Sequence, residues 1–177
     1  MSNHEDFLAG PSPDPVLPGL PEGRFEGREA FRQTVRDALA CAARVGWQEM
    51  ALCDMDFADW PLGEREVVQS LQNWVRRGRK FTILAGTYDE LPRCHPRFVA
   101  WRKTWDHVIE CRRCATVDRP EMPSVLWTSG WAMRRLHVER CLGMATTLPE
   151  PRAAMAEMLR EFSRRSSPGF PVTTLGL

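Results

Sequence analysis

The chain has 177 residues, and its 24 Lys and Arg stand against 23 Asp and Glu, for a formal net charge of +1. That length supports one domain with a sizeable core, and the balanced charge gives no global argument for nucleic acid or an anionic membrane. No apolar run is long enough to span a bilayer.

In chain order, residues 1–23 come first, with five prolines and Gly10, Gly19 and Gly23 among them. Proline lacks the backbone donor and glycine loses much entropy on ordering, so residues 1–25 are expected to form a flexible tail or extended strap before a single domain over 26–177. The N-terminus has no basic start and no continuous apolar stretch, so no secretory signal is expected. A cytoplasmic, reducing location follows, with the six cysteines as free thiols.

Residues 28–45 place Phe31, Val35, Leu39 and Ala42 on one helical face, and Gly46 ends the helix. QEMALC (48–53) reads as a strand. Asp59 just before Trp60-Pro61 predicts a capped helix start, with the helix running over roughly 60–78 and closing at Arg76-Arg77-Gly78-Arg79. KFTILA (80–85) is a second strand, ended by Gly86. A helix starts near Pro96 and carries RFVAWRKTWD. Strands are predicted at 107–112, 124–128 and 131–138, and a last helix at 150–165. The final PGFPVTTLGL is expected to be extended. Strand–helix alternation at the front implies parallel pairing, and the back implies antiparallel pairing. The fold class is therefore α/β, a three-layer α/β/α domain with a mixed, partly parallel sheet.

Ligands of open α/β sheets bind outside the carboxyl ends of the parallel strands. Two unusual stretches meet there, CDMDFADWPL (53–62) and CHPRFVAWRKTWDH (94–107). Asp54, Asp56, Trp60, His95, Arg97, Trp101, Arg102 and His107 are the candidate ligand-binding residues. Arginines interleaved with aromatics can stack bases or clamp phosphate, so a phosphate-containing ligand or nucleic acid is a candidate partner. The alternative for the same residues is structural. The tryptophans would then cover the sheet, and an ion pair from Arg97 or Arg102 to Asp54 or Asp56 would anchor the helix.

Cys111-x2-Cys114 and His137-x3-Cys141 have the spacing of a zinc site. Positions i and i+3 of a strand face opposite sides, however, so buried thiols are expected and no metal or cofactor is assigned. The chain has no G-x-S-x-G elbow, no Walker loop and no G-x-G-x-x-G.

Asp54-x-Asp56 after an apolar strand resembles the haloacid-dehalogenase-like phosphatases, which implies a metal-dependent phosphoesterase with Asp54 as nucleophile and Asp56 as acid/base. Ala58 stands where that family has Thr or Val. VVQSLQNWVRRGRKFTIL (67–84) and SVLWTSGWAMRRLHV (124–138) resemble the helix–Arg-Gly–strand segment and the hairpin of the phospholipase D-like superfamily. The DxDxxxWPL loop and HPRFxxWRxxWxH helix are similar to a small bacterial family of that type. The superfamily's His-x-Lys with its following Asp has no counterpart, since Ser124 to Trp127 offer neither His nor Lys. The resemblance therefore implies the phospholipase D-like fold without its catalysis, hence a binding or interaction module. A partner protein is the remaining reading, with the two termini as contacts and a homodimer as the expected state.

Overall fold

The computed structural model describes residues 19–78 and 80–171. Most of the proline-rich segment, Arg79 and the end of PGFPVTTLGL lie outside the described residues. The elements run β1 (Gly23–Phe25), α1 (Arg28–Val45), β2 (Glu49–Asp54), α2 (Arg65–Val75), β3 (Lys80–Ala85), α3 (Glu90–Cys94), α4 (Pro96–Thr104), β4 (Ile109–Arg113), β5 (Ser124–Thr128), β6 (Ala132–His137), β7 (Leu142–Thr146), α5 (Pro149–Arg164) and β8 (Ser167–Pro168).

The eight strands form one sheet in the order β1-β7-β6-β5-β2-β3-β4-β8. β2, β3 and β4 pair in parallel, with Met50 opposite Phe81 and Phe81 opposite Ile109. All other pairings are antiparallel. The protein is thus an α/β domain with a mixed sheet, and Gly23–Phe25, at the end of the expected tail, is an edge strand.

The helices divide between the faces by the side chains they bury. Phe31, Val35 and Leu39 of α1, Val67, Leu71 and Trp74 of α2, and Phe98 and Trp101 of α4 share the larger core cluster with Leu52, Phe81 and Ile83 of the sheet. Leu159 of α5 packs with Cys53, Leu84 and Val125 on the opposite face. Gly46 closes α1 in the left-handed region at φ 77, where a side chain would meet the carbonyl that follows it.

α2 starts at Arg65, five residues later than the expected start at 60. Pro61 therefore does not occupy its first turn, and the position before the helix is Glu64, which makes no side-chain cap. Tertiary contacts override the local signal. Trp60, Phe57 and Leu62 are fully buried, and Phe31 meets Trp60 edge-on at 5.3 Å. Asp59 is drawn to Arg28 and Arg135 across the fold. The loop is a plug in the core, and helix winding resumes only beyond it.

Candidate functional site

The carboxyl end of β2 carries the first stretch singled out in the sequence, and the start of α4 brings His95 of the second against it. Asp54, the last residue of β2, is 3% exposed. Its Oδ2 pairs with Arg135 Nη2 at 2.7 Å, and its Oδ1 accepts the N–H groups of Asp56 and Phe57. Burial alone would raise the Asp54 pKa. The Arg135 charge, with hydrogen bonds from Ser124 and Arg135 and the nearby Trp60 N–H, instead holds it below the usual carboxylate value. Arg135 donates Nε–H to Ser124 at 2.7 Å and lies 4.2 Å over the Phe31 ring. Burial works to lower its pKa, but the Asp54 charge and the hydrogen bonds to Asp54 and Cys141 together raise it.

His95, at the start of α4, accepts the Gly63 N–H at Nδ1 and donates from Nε2 to the Phe57 carbonyl at 2.8 Å. Both nitrogens are used by the neutral ring, and burial lowers its pKa. Phe57 sits between these two side chains at φ 60, a left-handed conformation costly for a bulky residue. Asp54 holds its N–H and His95 holds its C=O, so two of the candidate site residues lock a strained turn.

The other candidates divide between core and surface. Trp60 is fully buried, and its Nε1 makes no hydrogen bond of ordinary length while leaning on Asp54. Trp101 and Trp105 both donate to the Gln72 side-chain carbonyl, at 3.0 and 3.1 Å. Arg102 is buried. Asp56 caps Ala58 and pairs with Arg119 at 2.9 Å. Arg97 is exposed and donates to the Gly63 carbonyl. His107 is exposed beyond α4 and faces Asp106.

The expected ion pair from Arg97 or Arg102 to Asp54 or Asp56 is therefore corrected. Asp54 takes Arg135, and Asp56 takes Arg119. Arg135 was not among the candidates, although it had a signal. It follows Trp131 and Met133 at strand alternation on the buried side of β6, where a cation requires a buried acid. The expectation that these acids face solvent fails at Asp54. Cys111 belongs to one core cluster and Cys114 to the other, across the sheet. Among the described residues no group of three or more His, Cys, Asp or Glu side chains is placed to share a metal ion.

The opposite edge, at the amino ends of the parallel strands, has a different character. Because β2, β3 and β4 run parallel, the helices leading into β2, β3 and β4 end along one edge. Arg44 is in the last turn of α1. Arg76 and Arg77 follow α2, Lys80 opens β3, and Lys103 is in the last turn of α4. All five are exposed, and none takes an ion pair among the described residues. Toward the other edge Arg28, Arg36, Arg119 and Arg135 are paired with acids, and Arg65 and Arg97 are exposed with no ion pair among the described residues. α2 lies against both α1 and α4, so the three helix ends make a row roughly 20 Å long at about 10 Å per neighbour. A cleft of about 360 Å³ between α5 and β2–β3 opens beside Lys80, with Trp127 and Arg160 in its wall.

No family model matches the chain, and no curated protein matches it. Among solved structures the chain is similar to TrmBL2, described as an archaeal chromatin protein whose structure shows a novel mode of DNA binding. The match has a TM-score of 0.63 and 16% identity, covering 89% of this chain and 56% of that one. The likeness is one of fold, and the chain spans little more than half of TrmBL2. This finding corrects the resemblance to the phospholipase D-like superfamily and to its small bacterial relatives, which neither the family comparison nor this structural match supports. Among the described residues no helix is long and apolar enough to cross a membrane.

Proposed function

We propose that residues 26–177 form a non-catalytic binding domain that holds the backbone of nucleic acid along its basic rim. The observation that carries the reading is the row of Arg44, Arg76, Arg77, Lys80 and Lys103, five exposed cations without an ion pair among the described residues. Cations suit helix C-termini because of the helix dipole. That effect places each one locally, but it does not require four elements to present them along one edge. A line of unneutralised cations is what a polyanion displaces counterions to reach. The fold likeness to a chromatin protein described as binding DNA supports the same direction.

The residues at the other edge act as its frame. Asp54 is saturated by Arg135 and two backbone N–H groups, and both His95 nitrogens are used. This favours a binding module over the alternative of a phosphoesterase attacking through Asp54. The test is fluorescence anisotropy with a labelled 30-base-pair duplex at low salt, on the wild type and on Arg44→Gln/Arg76→Gln/Arg77→Gln/Lys80→Gln. Binding that weakens about 100-fold or more in the variant, at unchanged melting temperature, is expected. Equal binding by the two proteins, or none by the wild type, would remove the reading.

A further inference from the structure

Arg102 projects from the last turns of α4 into the region under the C-terminal segment, and it is 5% exposed. Its Nε and Nη1 are buried and have no hydrogen-bond partner among the described residues. An unpaired buried guanidinium is costly, and the other buried charged side chains, Asp54 and Arg135, have each other. Arg102 is close enough to Tyr88 and Cys111 for its charge to bear on both, but neither supplies a counter-ion.

What covers Arg102 is slight. Phe170 lies over the guanidinium at 5.1 Å and stacks on Tyr88 at 5.0 Å. The chain reaches that point through β8, two residues long, opposite Arg112 and Arg113. One of those two residues is Pro168, which has no N–H to give. The anchors are the Gly169 N–H to the Cys111 carbonyl at 3.0 Å and the Arg112 side chain to Ser166. Phe170 itself is held at φ 48, which is unfavourable for an aromatic residue. Arg113 is exposed beside Gly169 and has no ion pair among the described residues. A strained residue just beyond a two-residue strand therefore closes over a cation that lacks its anion.

We infer that Ser167–Pro171 is a displaceable cover over an oxyanion site built on Arg102, with Arg113 at its mouth. The ligand class is a carboxylate or phosphate oxyanion, which the guanidinium binds through charge-assisted hydrogen bonds. The closed cover reduces the apparent affinity by the fraction of molecules in which it is lifted. Arg102 adjoins Lys103 of the basic rim in the last turn of α4, but its guanidinium lies under Phe170, and the site does not depend on nucleic-acid binding at the rim.

The test is calorimetric titration of the full chain with inorganic phosphate and, separately, with acetate. Phe170→Ala is expected to bind at least one of the two about ten-fold more tightly than wild type. Arg102→Met is expected to abolish that binding, and Arg113→Gln to weaken it several-fold. The anion preferred by Phe170→Ala identifies which oxyanion the site takes. Failure of both anions to bind Phe170→Ala, or equal binding by Arg102→Met and wild type, would overturn the inference. Should Arg102→Met not fold, hydrogen exchange decides. Saturating anion should speed exchange of the wild-type Gly169 amide, and an unchanged rate would overturn the proposal.

Discussion

Phe57 is the residue on which the carboxyl-terminal edge turns. Its left-handed backbone persists because Asp54 and His95 grip it from two elements, and each grip has a measurable consequence. Asp54→Asn keeps an acceptor for the Phe57 N–H but removes the buried partner of Arg135 and leaves it only the more exposed Asp59, and breaking such a buried pair costs about 3–5 kcal/mol. Chemical denaturation should show that loss. Asp54→Leu/Arg135→Met should lose less than the sum of the two single changes, because it removes both buried charges together. His95 has its folded pKa lowered by burial from the ordinary value of 6.5. The unfolded chain therefore takes up the proton first, and stability is complete above about pH 6.5 and declines as the pH falls toward the folded value. Asp54, lowered from 3.8, acts in the same direction at more acid pH. Its contribution is present above 3.8 and is lost as the pH falls through its folded value. Melting curves of wild type and His95→Gln between about pH 4 and 8 should differ in slope near pH 6, with the variant flatter.

Elements whose two ends are marked locally were legible in the sequence. α1 has a 3.6-residue apolar stripe and a terminal Gly46, and its expected span 28–45 matches the structure. β2 and β3 are apolar runs bounded by charge or glycine, and they too lie where expected. The start of α2 was not legible. Asp59-Trp60-Pro61 has the chemistry of a helix start, but Asp59 is claimed by Arg135, 76 positions away. β7 was missed because LGMAT is short and holds Gly143. That glycine is needed because a Cβ there would stand 2.4 Å from both the Arg134 carbonyl and the Phe25 ring. The plug between β2 and α2 behaves as part of the core, so Trp60→Ala should cost about 3–5 kcal/mol. A conventional solvent loop at this position would tolerate the change with little effect on the denaturation midpoint.

At the scale of the whole molecule, a net charge of +1 conceals a segregation. Asp54, Asp56, Asp59 and Glu64 toward the carboxyl-terminal edge are matched by arginines from α1, β6 and the segment after β4, whereas Arg44, Arg76, Arg77, Lys80 and Lys103 at the opposite edge take no ion pair among the described residues. Composition could not show this, because the totals cancel. It follows from parallel pairing of β2, β3 and β4, which brings the ends of α1, α2 and α4 together. Two residues singled out in the sequence, Asp54 and His95, meet on the Phe57 backbone. The burial of Asp54 was not legible, because Arg135, the partner that explains it, lies 81 positions away.

The most direct measurement is the salt dependence of duplex DNA binding by wild type and by Arg44→Gln/Arg76→Gln/Arg77→Gln/Lys80→Gln. Each cation withdrawn from the phosphate backbone should reduce the slope of log K against log salt by about 0.9, so withdrawing four should reduce it by about 3–4. That reduction, with the fold intact, is the predicted result. A slope that is the same in both proteins would contradict the account and move the partner-binding surface away from the basic rim.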